Sequence, residues 1–393
     1  MAGSGAPVLI AGGGIGGLAA GLALAREGIS VHILEAAAEF SELGAGLQIG
    51  PNGTALLQRW GLGEALRQHA CRPDALLLKD GLTGGLLARI PLGDVAEARY
   101  GAPYLVMARH VLHGLLLAAA RAAPNITLSC GVRVASCSVI DEHVFFGGSQ
   151  GSKPLEGCGL VAADGVHSVL RGQFFSDARE TPSGKTALRA LVPMPPRLPD
   201  GEECAVCVWM GPNAHLVHYP IGDRGELNVV AVLADRVLPA VSEAPIKSAD
   251  LQPAFQPWTR DARDLISSAD RWTRWPLYAL PRLSEWSRGP VTLVGDAAHP
   301  LPPFLASGAV MAIEDAAVLA EEVARTPKDC AAAFQRYAAR RRPRLRRVQE
   351  AVRLIGEIYH MRGFMRFSRN LSLAVIPRRA LLALNDWLYG FKV

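Results

Sequence analysis

The 393-residue chain has no apolar run long enough to cross a bilayer without an interrupting glycine or charge, and residues 1–30 lack a basic leader and a cleavage pattern. These absences predict a cytoplasmic protein with no integral membrane segment. Cysteine is sparse, seven residues, odd in number and scattered, which argues for a reducing compartment and against a disulfide framework. Cys204-Ala205-Val206-Cys207 has the spacing of half a zinc site. In a strand, however, its two thiols point to opposite faces and no second pair follows, so no metal is expected. Acidic residues fall only slightly short of basic ones, 36 against 41. The densest basic run, Arg340 to Arg347, has no interleaved aromatics on which nucleic-acid bases would stack. We expect it to be the solvated face of a helix, with attraction to an anion as the weaker alternative and no nucleic-acid partner.

Half of the residues are hydrophobic, more than one compact core usually holds at this length, which predicts two domains and an appendage. The first domain announces itself at once. Pro7-Val8-Leu9-Ile10-Ala11 reads as a buried parallel strand, and Gly12-Gly13-Gly14-Ile15-Gly16-Gly17 follows, opening an Ala/Leu-rich helix that runs through Arg26 and stops at Gly28. A second strand, Ser30 to Leu34, ends on Glu35. Strand, glycine turn, helix, strand and acid thus arrive in the order of a dinucleotide-binding fold. Gly12 permits the tight turn, Gly14 lets backbone N–H groups approach a pyrophosphate, and Gly17 lets helix and strand pack closely. The helix N-terminus favours the phosphate charge, and Glu35 can accept hydrogen bonds from the hydroxyls of an adenosine ribose.

A second glycine and aspartate signature, Gly295-Asp296-Ala297-Ala298-His299-Pro300, follows the buried strand Val291 to Val294. A plain nicotinamide dehydrogenase needs only the first signature and leaves the second without a role; together they point to a flavin. Between them, the strand Gly159 to Ala163 delivers Asp164-Gly165, a strand end suited to gripping a polar ligand, for which a simple helix cap is the competing reading. The loop Leu43 to Gly53 is rich in glycine, as backbone lying against a flat ligand would be. Residues 75–100 read as a hairpin leaving the first domain, Val111 to Arg121 as a helix preceded by Arg109, and residues 181–287 as an antiparallel sheet with one face on a pocket. A helix is expected from Gly308 to Val323, further helix to about Gly356, and a docked aromatic pair in Asp386-Trp387-Leu388-Tyr389-Gly390. The expected fold is α/β: a Rossmann-like cofactor domain (1–75, 101–180 and 288–331), an inserted, mainly antiparallel substrate domain (76–100 and 181–287) and C-terminal helices (332–393).

The three motifs in this order resemble the fingerprints of single-component, FAD-dependent aromatic hydroxylases, the relatives of para-hydroxybenzoate hydroxylase. The loop Gly44 to Asn52, the tract Leu305 to Ala316 and the closing Asp386 to Gly390 are most similar to the salicylate hydroxylase and 3-hydroxybenzoate 6-hydroxylase branch. The resemblance covers nearly the whole chain and implies a set of roles. Gly12, Gly14, Gly17 and Glu35 would hold the adenosine end of FAD, Arg109 would grip the cofactor, and Asp164 would lie near the flavin and nicotinamide pyrophosphates. Gln48, Asp296, Pro300, Gly308 and Ala309 would line the flavin, with Asp296 accepting from the ribityl hydroxyls. The helix from Gly308 would aim its amides at the flavin edge where negative charge gathers on reduction. NADH or NADPH would supply electrons, and O₂ would give a flavin C4a-hydroperoxide that attacks an electron-rich ring. The implied partner is a small aromatic, and the implied assembly a monomer or homodimer.

A phenol reacts well only once its proton is withdrawn, in a pocket that excludes water. His215-Leu216-Val217-His218-Tyr219 offers the base: in a strand His215, Val217 and Tyr219 share one face and His218 takes the other. We expect His215 as base or phenol-orienting group and Tyr219 as a hydrogen-bond donor, against a structural role for His215. His299 is expected to be a structural hydrogen-bonder. Arg189 or His215 would meet a substrate carboxylate. Hydroxybenzoate-specific relatives often carry a polar residue just before the aromatic of Pro302-Pro303-Phe304, and an apolar wall there suits a less polar aromatic, a quinoline or an isoprenoid epoxidation equally well. A non-catalytic binder on the same fold would not need intact Arg109, Asp164 and Asp296.

Overall fold

The computed structural model describes residues 5–41, 46–146, 154–175, 179–195, 198, 201–222, 225–235 and 245–393. Leu43-Gly44-Ala45 of the glycine-rich loop lie outside them. Two sheets organise the chain. The first has six strands in the order Ser287–Arg288, Val291–Leu293, Gly159–Ala162, Val8–Ala11, Val31–Leu34 and Ile126–Ser129, all parallel except the first, which pairs antiparallel at the edge. The central strand Val8–Ala11 is buried along its whole length, as expected of a parallel strand covered on both faces. The helices Ile15–Arg26 and Gly308–Arg325 pack on each other beside it. Gly28 ends the first helix at φ +78°, a left-handed conformation that glycine adopts without strain.

The second sheet has eight strands, in the order Ile246–Lys247, Arg271–Ala279, Thr181–Pro193, Glu226–Ala234, Ala214–Ile221, Ala205–Gly211, Ala75–Asp80 and Leu86–Pro91. Residues 75–91 do form a hairpin, but its first strand joins the sheet in parallel with Ala205–Gly211, the only parallel pairing there among the described residues. A helix, Gly93–Tyr100, then returns the chain to the first sheet. Two further helices, Ser248–Phe255 and Arg260–Ser267, cover the far face of the second sheet, inside the stretch 181–287 whose general pattern is that of antiparallel sheet.

The C-terminal region is helical, with a long helix Cys330–Tyr359 followed by Gly363–Val375, Arg378–Ala383 and Asp386–Tyr389. Here the arginine-rich run departs from expectation: Arg341 and Arg344 are buried rather than solvated. Arg341 donates to Glu314 Oε2 at 2.6 Å and to Asp315 Oδ1 at 2.7 Å, and Arg344 donates to Glu314 Oε1 at 2.9 Å and to the Leu388 carbonyl at 2.9 Å. Asn52 donates to the same Glu314 at 2.6 Å. Two buried carboxylates met by two guanidinium groups of fixed fork geometry are neutralised pairwise, and this offsets the desolvation of all four charges. The terminal aromatics are docked as expected, with Tyr389 edge-on to Tyr100 and Tyr104 and Asp386 accepting from Arg99.

Removing one member of a buried charge set leaves the others uncompensated. Arg341→Met is therefore expected to destabilise the fold by about 3–5 kcal/mol, read from the midpoint of urea denaturation. An unchanged midpoint would show that the network carries no net stability.

Candidate active site

Three strand ends meet. Val8–Ala11, Gly159–Ala162 and Val291–Leu293 are neighbours in register, so Gly12, Ala163-Asp164 and Gly295-Asp296 emerge side by side at the carboxyl edge, where open α/β sheets bind their ligands. The contacts are close enough to require glycine. A Cβ on Gly12, whose φ is +109°, would stand 2.4 Å from the Ala163 carbonyl oxygen, and one on Gly17 would stand 1.9 Å from the Gly12 carbonyl oxygen. Gly16 and Gly295 both face the Cβ of Ala312, on the helix Gly308–Arg325. The early and late glycine signatures thus share one wall.

Each signature is fixed by its own hydrogen bonds. Gly14 is the N-cap of the first helix, in extended conformation. Glu35 accepts from the Gly13 N–H and from the Ala37 N–H, both at 2.7 Å, which holds the carboxylate against the glycine turn with lone pairs still available. The buried His113 ring meets the Gly13 carbonyl at 2.8 Å. Asp164 accepts from the Ser168 hydroxyl at 2.5 Å and from the Leu170 N–H at 3.2 Å, while the cap of the helix Val169–Phe174 is Ser168 itself, which accepts from the Arg171 N–H. Arg171, fully buried, donates to the carbonyls of Val166 at 2.7 Å and Ala297 at 3.0 Å, tying the Asp164 turn to the Asp296 turn. His299 bonds Asp315 and stacks on Trp286, a structural part as expected. Burial raises the pKa of Asp315, but His299, Arg341 and the Gly295 N–H outweigh it and hold the carboxyl down at about 2.

The opposite wall comes from the second sheet. Arg189 projects from Thr181–Pro193 towards the charges of Arg109 and Asp296, close to Tyr219. Its guanidinium lies 5.4 Å from the Trp275 ring centroid, and its buried Nε has no hydrogen-bond partner among the described residues. Asp296 has an exposed surface but stands among closely packed protein, and the solvation it loses there raises its pKa against the pull of His299, Arg109 and Arg189. Arg109 is the first residue of the helix Arg109–Ala122, two residues earlier than the sequence pattern indicates. Gln48 is buried and accepts from the Tyr104 hydroxyl at 2.5 Å, and Tyr219 also bonds it. Gly46 donates to Asn228 and lies so close to the Tyr219 ring that a Cβ would stand 2.7 Å away.

The helix Gly308–Arg325 begins after Ala306, whose φ of +47° turns the chain sharply. Among the described residues nothing lies within 4 Å of where a Gly308 Cβ would be, so the first turn is open on that side, where leading amides lack intrahelical acceptors. The Ser307 hydroxyl beside it is buried without a partner among the described residues. Ala309 forms the same turn, and Pro300 is buried. An aspartate, a clustered pair of arginines, a glycine-lined turn and an open helix N-terminus around one cleft fit a flavin and its nucleotide tail.

His215, Val217 and Tyr219 do share one face of their strand, and His218 takes the other. His215 is only 1% exposed, enclosed by the rings of Phe304, Tyr359 and His360, with Nδ1 2.8 Å from His360 Nε2. Burial, then His360 and Lys185, push its pKa well below the usual histidine value; burial and Lys185 lower His360 to about 4. No sequence signal singles out His360, which lies 145 residues away. His218 instead joins Glu202 and Cys207 in a buried cluster on the far side of the sheet, where the Lys79 ammonium pairs with Glu202. Cys204, by contrast, is exposed.

The comparisons with known proteins agree with this geometry. A family model described as FAD binding domain matches residues 5–352. The chain is 38% identical to a 3-hydroxybenzoate 6-hydroxylase of Polaromonas naphthalenivorans, over 98% of this chain and 96% of that one. It is 36% identical to a 3-amino-4-hydroxybenzoate 2-monooxygenase of Streptomyces platensis, over the same shares of the two chains. Among solved structures, that of Klebsiella pneumoniae HpxO with FAD and uric acid superposes with a TM-score of 0.87 at 25% identity, covering 99% of this chain and 98% of that one. With cofactor-shaped strand ends and relatives of this kind along nearly its whole length, the chain belongs to the FAD-binding family of flavin-dependent aromatic monooxygenases.

Proposed function

We propose that the chain hydroxylates a hydroxybenzoate, such as salicylate or 3-hydroxybenzoate, using NADH or NADPH and O₂. The observation that carries this reading is Arg189. A guanidinium held between a tyrosine and the cofactor wall, with a buried Nε that has no partner among the described residues, is built to receive a planar carboxylate. The similarity to a 3-hydroxybenzoate 6-hydroxylase over nearly the whole chain supports the same substrate class. Action in the cytoplasm, as a monomer or homodimer, is in keeping with cysteines that form no disulfide among the described residues.

FAD, once bound, would supply the redox chemistry that links nicotinamide oxidation to oxygen insertion. The residues of the signatures would hold it: Gly12, Gly14, Gly17 and Glu35 at the adenosine end, Arg109 and Asp164 near the phosphates, Asp296 at the hydroxylated linker. The amides from Gly308 and Ala309 favour negative charge at the edge they face, and so favour the reduced cofactor. Arg189 orients the substrate by its carboxylate, and Tyr219 donates to it. His215 is neutral at pH 7, because its pKa is lowered, and can accept the phenolic hydrogen bond. Its enclosure means that Phe304 or Tyr359 must swing aside for a substrate to reach it. The same rings keep water away from the reacting atoms.

Stimulation of NADH or NADPH consumption by hydroxybenzoates, with a matched dihydroxylated product, tests the reading; stimulation only by quinolines or other uncharged aromatics would sink it. Arg189→Met should raise KM for a hydroxybenzoate roughly 10- to 100-fold, as loss of a charge-assisted pair implies, and leave KM for a phenol without a carboxylate unchanged. Asp296→Ala should purify mainly as apoprotein, read from the FAD released per chain on denaturation; full occupancy would remove its assigned role. In His215→Ala, cofactor reduction should persist while electrons go to hydrogen peroxide. Undiminished hydroxylation per NAD(P)H consumed would show that His215 is structural.

A further inference from the structure

The helix Gly363–Val375 is inside out. Its polar side faces the protein: Arg366 donates to Asp80 at 2.6 and 2.8 Å, Asn370 donates to Asp80 at 2.7 Å, and the buried Arg369 donates to the carbonyls of Ile358 and Tyr359. Its apolar side faces solvent. Phe364, Phe367, Leu371 and Val375 are 78%, 63%, 57% and 70% exposed, at a spacing of three and four residues that makes one continuous stripe. Leu384 continues the exposed apolar surface in the next segment, at 64%. Scattered exposed hydrophobics are ordinary, but a stripe of two phenylalanines and two aliphatics along one helix marks an interaction surface.

The charge around the stripe says what would cover it. From residue 361 to 385 there is no aspartate or glutamate, while Arg362, Arg366, Arg369, Arg378 and Arg379 fall in the same stretch. Arg366 and Arg369 are turned inward, and Arg362, which immediately precedes the helix, and Arg378 and Arg379, which open the next one, are exposed. Apposing this face to its own copy would bring arginines together with no acid from the segment to pair them. An anionic surface that also takes up apolar side chains suits it on both counts. No helix among the described residues is long and apolar enough to cross a membrane, so contact would be confined to the interface.

We propose that this helix docks the protein on an anionic lipid surface, with Phe364, Phe367, Leu371 and Val375 entering the interface and Arg362, Arg378 and Arg379 meeting the headgroups. The exposed side chains of the stripe are not among those assigned to the cofactor or the substrate, and the proposal does not rest on the identity of the substrate.

The test is co-sedimentation of the FAD-loaded full chain with vesicles of phosphatidylcholine alone and of phosphatidylcholine mixed with phosphatidylglycerol. The wild type should pellet with the mixed vesicles and stay in solution with the neutral ones. Phe364→Ser/Phe367→Ser should weaken partitioning at least about tenfold, from the apolar area withdrawn. Arg378→Gln/Arg379→Gln should weaken it roughly tenfold or more and reduce the dependence on anionic lipid. Both variants should keep wild-type FAD content and circular dichroism. A wild type that pellets with neither vesicle, or with both equally, overturns the proposal. So does a concentration-dependent dimer, seen by light scattering and abolished by Phe364→Ser/Phe367→Ser, in a protein that ignores vesicles, because the face then belongs to a second copy.

Discussion

The carboxylate of Asp315 is the point on which the cofactor cleft depends. It lies within the helix whose first turn opens on the cleft, and it accepts from the Gly295 N–H, His299 and Arg341 at once. The Gly295 bond fixes the turn that presents Asp296, and the His299 bond fixes the segment leading to Pro300. Arg341 links both to the long C-terminal helix. Because the group is buried and held ionised by these neighbours, its charge cannot be screened by water and each partner must keep its place. Glu314, next to it, extends the arrangement to Asn52, Arg344 and the chain end at Leu388. The helix whose first turn opens on the cleft is thereby clamped from behind by charges set back within the protein. Precise placement of donors in a reaction site requires such support from its surroundings.

How much of this is legible in the amino-acid order follows from how local each requirement is. Gly12 and Gly17 are readable because a carbonyl oxygen stands within bonding reach of their missing side chains, and only glycine satisfies that in any context. The alternation that puts His215 and Tyr219 on one face and His218 on the other is equally local, as it follows from the strand period alone. Arg341 and Arg344 were misread for the opposite reason. Arginine is nearly always solvated, and the acids that bring these two inside sit 26 to 30 positions earlier in another helix. His360 beside His215, and the parallel seat of Ala75–Asp80 in the second sheet, are products of tertiary packing and leave no periodic trace.

The helix Gly363–Val375 shows the limit from another side. Its hydrophobic period is plain, but period alone does not say which face turns inward. Asp80 decides: a buried carboxylate needs cations, and the helix meets that need with Arg366 and a nearby Arg369, so the apolar stripe must look outward. A rule that apolar faces seek the core fails where a buried charge claims the polar face first.

The route of the chain has a consequence for how such a protein can change. The polypeptide leaves the six-stranded sheet for the eight-stranded one and comes back, twice, with Ala75–Pro91 contributed before the main block that begins at Thr181. Neither sheet is therefore a contiguous module that recombination could exchange whole. Change in the second sheet has to accumulate by single replacements along its strands, while the turn at Gly12 and Gly17 stays fixed by contacts that only glycine can make.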